Sequence, residues 1–600
     1  MTIRDVLSPF SAWKNLFRDP VTIIDPINDR PGSERYRGFH KNDVETCIGC
    51  GTCETICQNA AIDMVPADGF AAGGDDSGLR PRIDYGRCCW CALCVDVCMT
   101  GSLTMSNAYQ WVDADPDAFR FTPGIDKKHW DDAPLGYKRP DDHRLTPPLR
   151  VSMHELEPDA RIETFEEIVE GYSVEQAKLE ADRCVSCGLC VATCPAHMSI
   201  PGYIGAVRDG DYERGLKLLY ETNPFSQICG RVCTHKCETV CSATHEGEPI
   251  AIRWLKRHIT DQVPYEKYTD IIGAPAPSSG KRVAVVGAGP AGLTAAFDLA
   301  RQGHEVVVFE ARNHPGGMTR YGIPEYRLPY DMIDRDIDVI KSMGVDVRCN
   351  KSIGSDISME QLHEKYDAVL LSIGLHLGRS TRIPGSDHRS VTKAVELLRA
   401  ITDGEKFDIP REAVVIGGGN VAMDIARSIA RLQKQTYGEV KMIVTALEDL
   451  DHFLADPEEI RECGEEGIEI LDARGPQEMI IDENGKLTGL KTWGVLSIFD
   501  DKGRFAPSYD EADERVHSAD MVIEAIGQGA DVSLLGENLT EQLEWNRGRM
   551  QVDDDGRTSE PWLWAAGDCV KGPDVIHAVA DGHAVALSIK SVFKQQEAQA

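Results

Sequence analysis

Four cysteine quartets before residue 245 and two glycine-rich strand–turn–helix fingerprints after residue 280 predict a multidomain α/β chain. It reads as a cysteine-rich amino-terminal module, a small α-helical domain and two Rossmann-like domains. Length agrees, since 600 residues exceed what one hydrophobic core usually supports. The run GAPAPSSGK, Gly273 to Lys281, has linker composition and separates the cysteine-bearing half from the alternating strands and helices that follow. The boundaries are the module at 1–110, a Pro- and Asp-rich connector at 111–160 and the helical domain at 161–272. An outer dinucleotide domain at 281–395 and 516–600 is interrupted by an inserted one at 396–515.

Charge narrows the class. Lys plus Arg number 64 against 97 Asp plus Glu, a net −33, which argues against nucleic-acid binding. No run of about eighteen apolar residues appears and no signal-peptide core opens the chain, so no transmembrane segment and a cytoplasmic location are expected. Ile3, Val6, Leu7, Phe10, Trp13 and Phe17 recur at helical spacing despite Pro9, and are expected to pack on the protein itself.

Sixteen of the twenty cysteines fall in the quartets, leaving Cys89, Cys349, Cys463 and Cys569 scattered. Cys47, Cys50, Cys53 and Cys57 have the C-x2-C-x2-C-x3-C spacing, and Cys88, Cys91, Cys94 and Cys98 repeat it. A tight loop supplies three thiolates to a 4Fe–4S cube and the fourth comes from the other run, as in two-cluster ferredoxins. The expected sets are Cys47, Cys50, Cys53 and Cys98, and Cys88, Cys91, Cys94 and Cys57. Zinc is the weaker alternative, because its motifs use separated C-x2-C pairs. Cys184, Cys187, Cys190 and Cys194 share the spacing, whereas Cys229, Cys233, Cys237 and Cys241 recur every fourth residue. Four thiols on one helical face cannot surround a cube, so some must pair with the third quartet. Four 4Fe–4S clusters are expected in all.

The segments YRGFHKNDVETCIGCGTCETIC and RPRIDYGRCCWCALCVDVC resemble the two-cluster ferredoxin-like subunit of respiratory complex I over roughly residues 35–110. Gln58 and Met99 stand where that pattern usually has proline. EADRC before the third quartet and EPIAIRWLKRHITD after the fourth resemble the glutamate synthase small subunit and dihydropyrimidine dehydrogenase, a likeness covering most of residues 160–600. It implies one cluster on Cys184, Cys187, Cys190 and Cys241, and another on Cys194, Cys229, Cys233 and Cys237.

KRVAVVGAGPAGLTAAFDLARQGHEVVVFEAR holds the first fingerprint. Gly287 permits the turn, Gly289 lets backbone approach a pyrophosphate, Pro290 and Ala291 open the helix, and Gly292 lets helix pack on strand. Glu310 ends the second strand, where a carboxylate accepts from ribose hydroxyls. AVVIGGGNVAMDIARSIARL supplies the second, with Gly417, Gly418, Gly419, Asn420, Val421 and Ala422. Two fingerprints in this order resemble the flavoprotein architecture of glutamate synthase small subunits and thioredoxin reductases, which implies FAD in the outer domain and NAD(P) in the inner.

The same resemblance places Gly317, Met318 and Arg327 against the flavin. It assigns Gly567, Asp568, Val575 and Ile576 to a second FAD segment, and Ala525 and Gly527 to the nicotinamide. NADPH-binding relatives carry paired arginines after the second inner strand. Here the strand within KMIVTALED is expected to end with Glu448, whose charge would repel a 2′-phosphate, so NADH is favoured.

Nicotinamide delivers two electrons as hydride while each cluster takes one, so a flavin must stand between them. No side-chain nucleophile or general base is needed, and none is nominated. The expectation is an NAD(P)H:acceptor oxidoreductase within a hetero-oligomeric complex, wired to a redox partner subunit or a ferredoxin, with reverse flow equally compatible. A glutamate synthase small subunit and a subunit of a ferredoxin-linked bifurcating transhydrogenase are the alternatives.

Overall fold

A computed structural model describes residues 8–18 and 32–599. Its contacts divide the chain into two compact units. Of the described residues, the first comprises those up to 149 with 183–189 and 239–249; the second comprises 150–182, 190–238 and 250–599.

In the first unit, β1 (His40–Asn42) pairs antiparallel with β4 (Leu103–Met105). A three-stranded sheet runs β2 (Ile62–Pro66), β3 (Leu79–Asp84), β5 (Arg120–Phe121). The connector expected at 111–160 is not extended throughout. Trp111, Phe119, Phe121, Trp130 and Tyr137 pack with Phe39, Ile62, Ile83 and Tyr85 into this unit's core. The aromatic side chains within the Asp- and Pro-rich stretch close a core that two small sheets could not fill alone.

Ile3, Val6 and Leu7 lie outside the described residues. Ser8–Phe17 forms a 3-10 helix without buried side chains, and Phe10, Trp13 and Phe17 are exposed, contrary to the expected self-packing.

The second unit carries two five-stranded parallel sheets. The outer sheet has the order β22 (Leu563–Ala565), β9 (Ala368–Leu371), β6 (Arg282–Val286), β7 (Glu305–Phe309), β8 (Asp346–Arg348). The inner has β11 (Val391–Lys393), β18 (Met521–Glu524), β12 (Ala413–Ile416), β13 (Met442–Thr445), β14 (Glu469–Leu471). Runs such as VAVV and AVVI are apolar without alternation because helices cover both faces of a parallel sheet. The chain passes between the sheets through the pair β10 (Leu377–Gly378) and β19 (Gln528–Gly529). An antiparallel sheet of β15 (Arg474–Ile481), β16 (Leu487–Phe499) and β17 (Phe505–Ser518) flanks the inner sheet. The helices expected around residues 175–181 and 212–220 are Val174–Asp182 and Tyr212–Tyr220.

Candidate functional site

Three cysteine runs share one backbone device. The residues two and four places after the first cysteine are left-handed in each: Gly49 and Gly51, Trp90 and Ala92, Ser186 and Gly188. Three of these six are not glycine, and a side chain there costs about 1–2 kcal/mol. Such strain persists where surrounding structure enforces it, commonly at a functional site.

Cys47, Cys50, Cys53 and Cys98 line one small cavity together with Asn42, Met64 and Pro81. Burial pushes the Cys53 thiol well up, and Cys50, Cys94, Cys98 and Cys47 beside it add to the rise. Burial likewise pushes up Cys94, with Cys88, Cys91 and Cys57 contributing. Hydrogen bonds already reach several of these sulfurs: Ala61 N–H to Cys57 at 3.3 Å, Trp90 N–H to Cys88 at 3.4 Å and Leu103 N–H to Cys98 at 3.5 Å. Cys89 and Cys91 are exposed.

His40, which lies in the segment YRGFHKNDVETC but was given no role there, places Nε2 3.3 Å from Cys94 Sγ. Burial holds its ring down, at about 4.

Of the remaining quartet cysteines, Cys184, Cys187 and Cys241 belong to the first unit, and Cys190, Cys194, Cys229, Cys233 and Cys237 to the second. In the second unit Lys256 is buried, which alone would lower its pKa. The nearby thiols Cys233, Cys229, Cys194 and Cys237 raise it instead. No sequence cue had marked Lys256. Thr234 then ties this set to the carboxy-terminal segment, donating to Asp574 Oδ2 at 2.9 Å.

A cavity of about 560 Å³, within the usual range for bound cofactors, lies along the outer sheet. Gly287, Gly289, Pro290, Ala291, Glu310, Gly317, Met318, Gly567 and Asp568 line it, as expected from the sequence. A Cβ on Gly289 would meet nothing closer than 4.0 Å, leaving the backbone open to a phosphate, whereas one on Gly287, at φ +103°, would lie 2.5 Å from Ser372 O. Glu310 accepts from Ala288 N at 3.0 Å and Arg312 N at 2.9 Å, pinning the turn it faces. Burial raises Asp568 to about 6 against the charge of Arg549. Residues 351–355, His376, Asp531, Ser533 and Leu534 complete the wall without any sequence cue.

Gly292 lies in the packing role given to it, and three expected flavin residues, Val575, Ile576 and Arg327, stand elsewhere. Gly292 faces Ser372 and Gly287 O, where a Cβ would clash at 2.2 and 2.3 Å, so it serves helix packing. Val575 and Ile576 begin the helix Val575–Gln599, and it is Ala578, one turn on, that lines the cavity. Arg327 is corrected most. Its buried guanidinium needs carboxylates, and it pairs with Asp424 at 2.8 Å and Glu459 at 2.7 Å in the inserted domain.

At the second turn, Gly417 has φ +144° and a Cβ there would lie 2.5 Å from Ala525 O. Gly418 O accepts from Leu454 N and Ala455 N, both at 3.1 Å, so residues 453–455 close over the turn. Gly419 is open, and Asn420 Oδ1 accepts from Asp456 N at 2.7 Å. Glu448 Oε2 would stand 3.4 Å from a Cβ on Gly418, beside the turn. Gly527, left-handed at φ +100°, follows Ala525 into β19, while Val421 and Ala422 begin the helix Asn420–Tyr437. Among the described residues, no helix is long and apolar enough to cross a membrane.

Residues 281–582 match the family model described as pyridine nucleotide-disulphide oxidoreductase. Residues 161–268 match dihydropyrimidine dehydrogenase domain II, 4Fe-4S cluster, and 46–102 match a 4Fe-4S dicluster domain. The chain is 36% identical over 432 residues to the NADP(+)-dependent formate dehydrogenase subunit beta of Moorella thermoacetica, covering 68% of this chain and 60% of that one. It is 32% identical over 434 residues to the NAD-dependent dihydropyrimidine dehydrogenase subunit PreT of Escherichia coli K12, covering 71% and 96%. To the NADPH glutamate synthase small chain of the same strain it is 32% identical over 448 residues, covering 71% and 93%. The chain thus spans less than two thirds of the formate dehydrogenase relative.

Proposed function

The chain belongs to the pyridine nucleotide-disulphide oxidoreductase family, and from that premise we propose that it passes electrons between NADH, one FAD and four 4Fe–4S clusters to or from a redox partner. It is an oxidoreductase with flavin, pyridine-nucleotide and iron–sulfur domains. Gly287, Gly289, Glu310 and Asp568 in the 560 Å³ cavity would hold FAD, and the amino end of the helix Pro290–Arg301 would favour its phosphate charge. Bound there, the flavin would supply the exchange between two-electron hydride and single-electron chemistry. Glu448 selects NADH by repelling a 2′-phosphate.

Three clusters take the sets Cys47, Cys50, Cys53 and Cys98; Cys57, Cys88, Cys91 and Cys94; and Cys194, Cys229, Cys233 and Cys237. The count of four rests on the four cysteine quartets of the sequence. The observation that carries this reading is the single cavity that Cys47, Cys50, Cys53 and Cys98 line, supported by Thr234, next to Cys233, donating to Asp574 near the segment that bears Asp568. The partner is a redox subunit or a ferredoxin, as in a hetero-oligomeric complex.

Anaerobic isolation followed by metal and flavin analysis tests the inventory. About sixteen irons and one FAD per chain are expected. Stoichiometric zinc with little iron would overturn it.

A further inference from the structure

Building on that cluster assignment, we propose that His40, its tautomer set by Tyr85, is a positioning residue that donates a hydrogen bond to the Cys94 sulfur and so raises the reduction potential of the cluster on Cys57, Cys88, Cys91 and Cys94. His40 is 1% exposed and Tyr85 7%, so neither group has bulk water as a partner. His40 N–H donates to the Tyr85 oxygen at 2.7 Å. The same oxygen lies 2.6 Å from Nδ1 of the ring. A phenol that accepts the backbone N–H turns its own O–H toward Nδ1, which makes Nδ1 the acceptor. The imidazole proton is therefore on Nε2, 3.3 Å from Cys94 Sγ.

Two features hold the geometry. β1 pairs His40 opposite Met105, and Tyr85, directly after β3, stacks on Phe121 with ring centroids 5.3 Å apart.

The chemistry follows from charge. Reduction adds one electron, drawn from NADH through the flavin, to a cluster whose thiolates already carry negative charge. A neutral N–H donor at a ligand sulfur stabilises the reduced form more than the oxidised form. The proton stays on Nε2 in both states, so electron transfer needs no proton release. Cys91 and Cys89 of the same loop are exposed, which places this cluster at the surface of its unit.

EPR-monitored redox titration of the full chain tests this, with Cys91→Ser identifying which signal belongs to this cluster. In His40→Phe the midpoint of that signal should fall, by about tenfold in the reduction equilibrium or about 59 mV for one electron. The signal of the cluster on Cys47, Cys50, Cys53 and Cys98 should not move. His40→Gln restores a donor and should recover part of the shift, and Tyr85→Phe should lie between. An unchanged midpoint in His40→Phe at full iron content, or an equal shift of both signals, overturns the assignment of His40 alone. Zinc in place of iron overturns the underlying cluster reading instead. Should His40→Phe lose the cluster, pulsed EPR on wild-type protein labelled with ¹⁵N-histidine decides: coupling to one ring nitrogen supports the hydrogen bond, and none refutes it.

Discussion

The two nucleotide turns begin from one recipe and are finished differently. Each follows an apolar parallel strand, and each has a left-handed first glycine that a backbone carbonyl would not let grow: Ser372 O at Gly287, Ala525 O at Gly417. Beyond the turn they diverge. The helix Pro290–Arg301 is buried through Ala, Leu, Thr and Phe side chains. The helix Asn420–Tyr437 buries Asp424, Arg427 and Arg431 as well. Arg427 reaches Glu459, Glu462 and Glu466, Arg431 reaches Glu466, and Asp424 holds Arg327. The acids that follow the second strands, Glu310 directly after β7 and Glu448 three residues past β13, also differ. Glu310 is bound by its own turn, whereas Glu448 stands beside Gly418. The same motif is thus held mainly by hydrocarbon in one domain, with one Asp298–His583 pair at 2.5 Å, and by a buried network of paired charge in the other.

The largest effect is expected at the first turn. Gly287→Val should give protein purified with almost no flavin absorbance, since any Cβ at φ +103° meets Ser372 O; normal flavin content would show that the turn has slack.

Next comes the charge network. Burial alone would raise Glu466, but the hydrogen bonds and charges of Arg427 and Arg431 bring it to about 2. Its folded value lies below the ordinary 4.5, so its stabilisation is complete above that pH and is lost as pH falls toward 2. Glu466→Gln should cost about 3 kcal/mol near neutral pH and flatten the acid limb, measured by urea unfolding. Burial instead raises Glu462 to about 7, against Arg427, so Glu462→Gln mimics a form already populated and should change neutral stability little. Equal costs at the two positions would break the distinction drawn between the helices.

Smaller still is Glu448→Arg, which should shift preference from NADH toward NADPH by about tenfold in stopped-flow flavin reduction, or about 1.4 kcal/mol. Unchanged selectivity would mean that another side chain reads the ribose.

Gly418 has no left-handed φ, and an added Cβ meets Ala446, Glu448 and Phe453 side chains at 3.2–3.4 Å. Gly418→Ala should therefore cost about 1 kcal/mol or less by thermal unfolding.

The cysteine runs and glycine turns were legible because their spacing is a local property of the chain. Trp90 and Ala92 show where that stops: they occupy the conformations that Gly49 and Gly51 advertise, yet nothing in their identity reveals it. Arg327 was misread because a motif names its arginine but not the carboxylates waiting on another domain. The aromatic core made by Trp111, Phe119 and Trp130 was hidden by Asp and Pro around it, since composition averages what packing selects. The role of His40 was invisible, as its partners come from residues 45 and 54 positions away.

The outer sheet carries one more consequence, for biosynthesis. Its edge strand β22, pairing with β9, comes almost 200 residues later in the chain, and Gly567 and Asp568 line the cavity just beyond it. At ribosomal rates, roughly 15 s to a minute separates synthesis of Gly287 from that of Asp568. The amino-terminal cysteines emerge well before the cavity wall can be completed. Cluster insertion can thus begin on the nascent chain, whereas full enclosure of the flavin awaits its last segment.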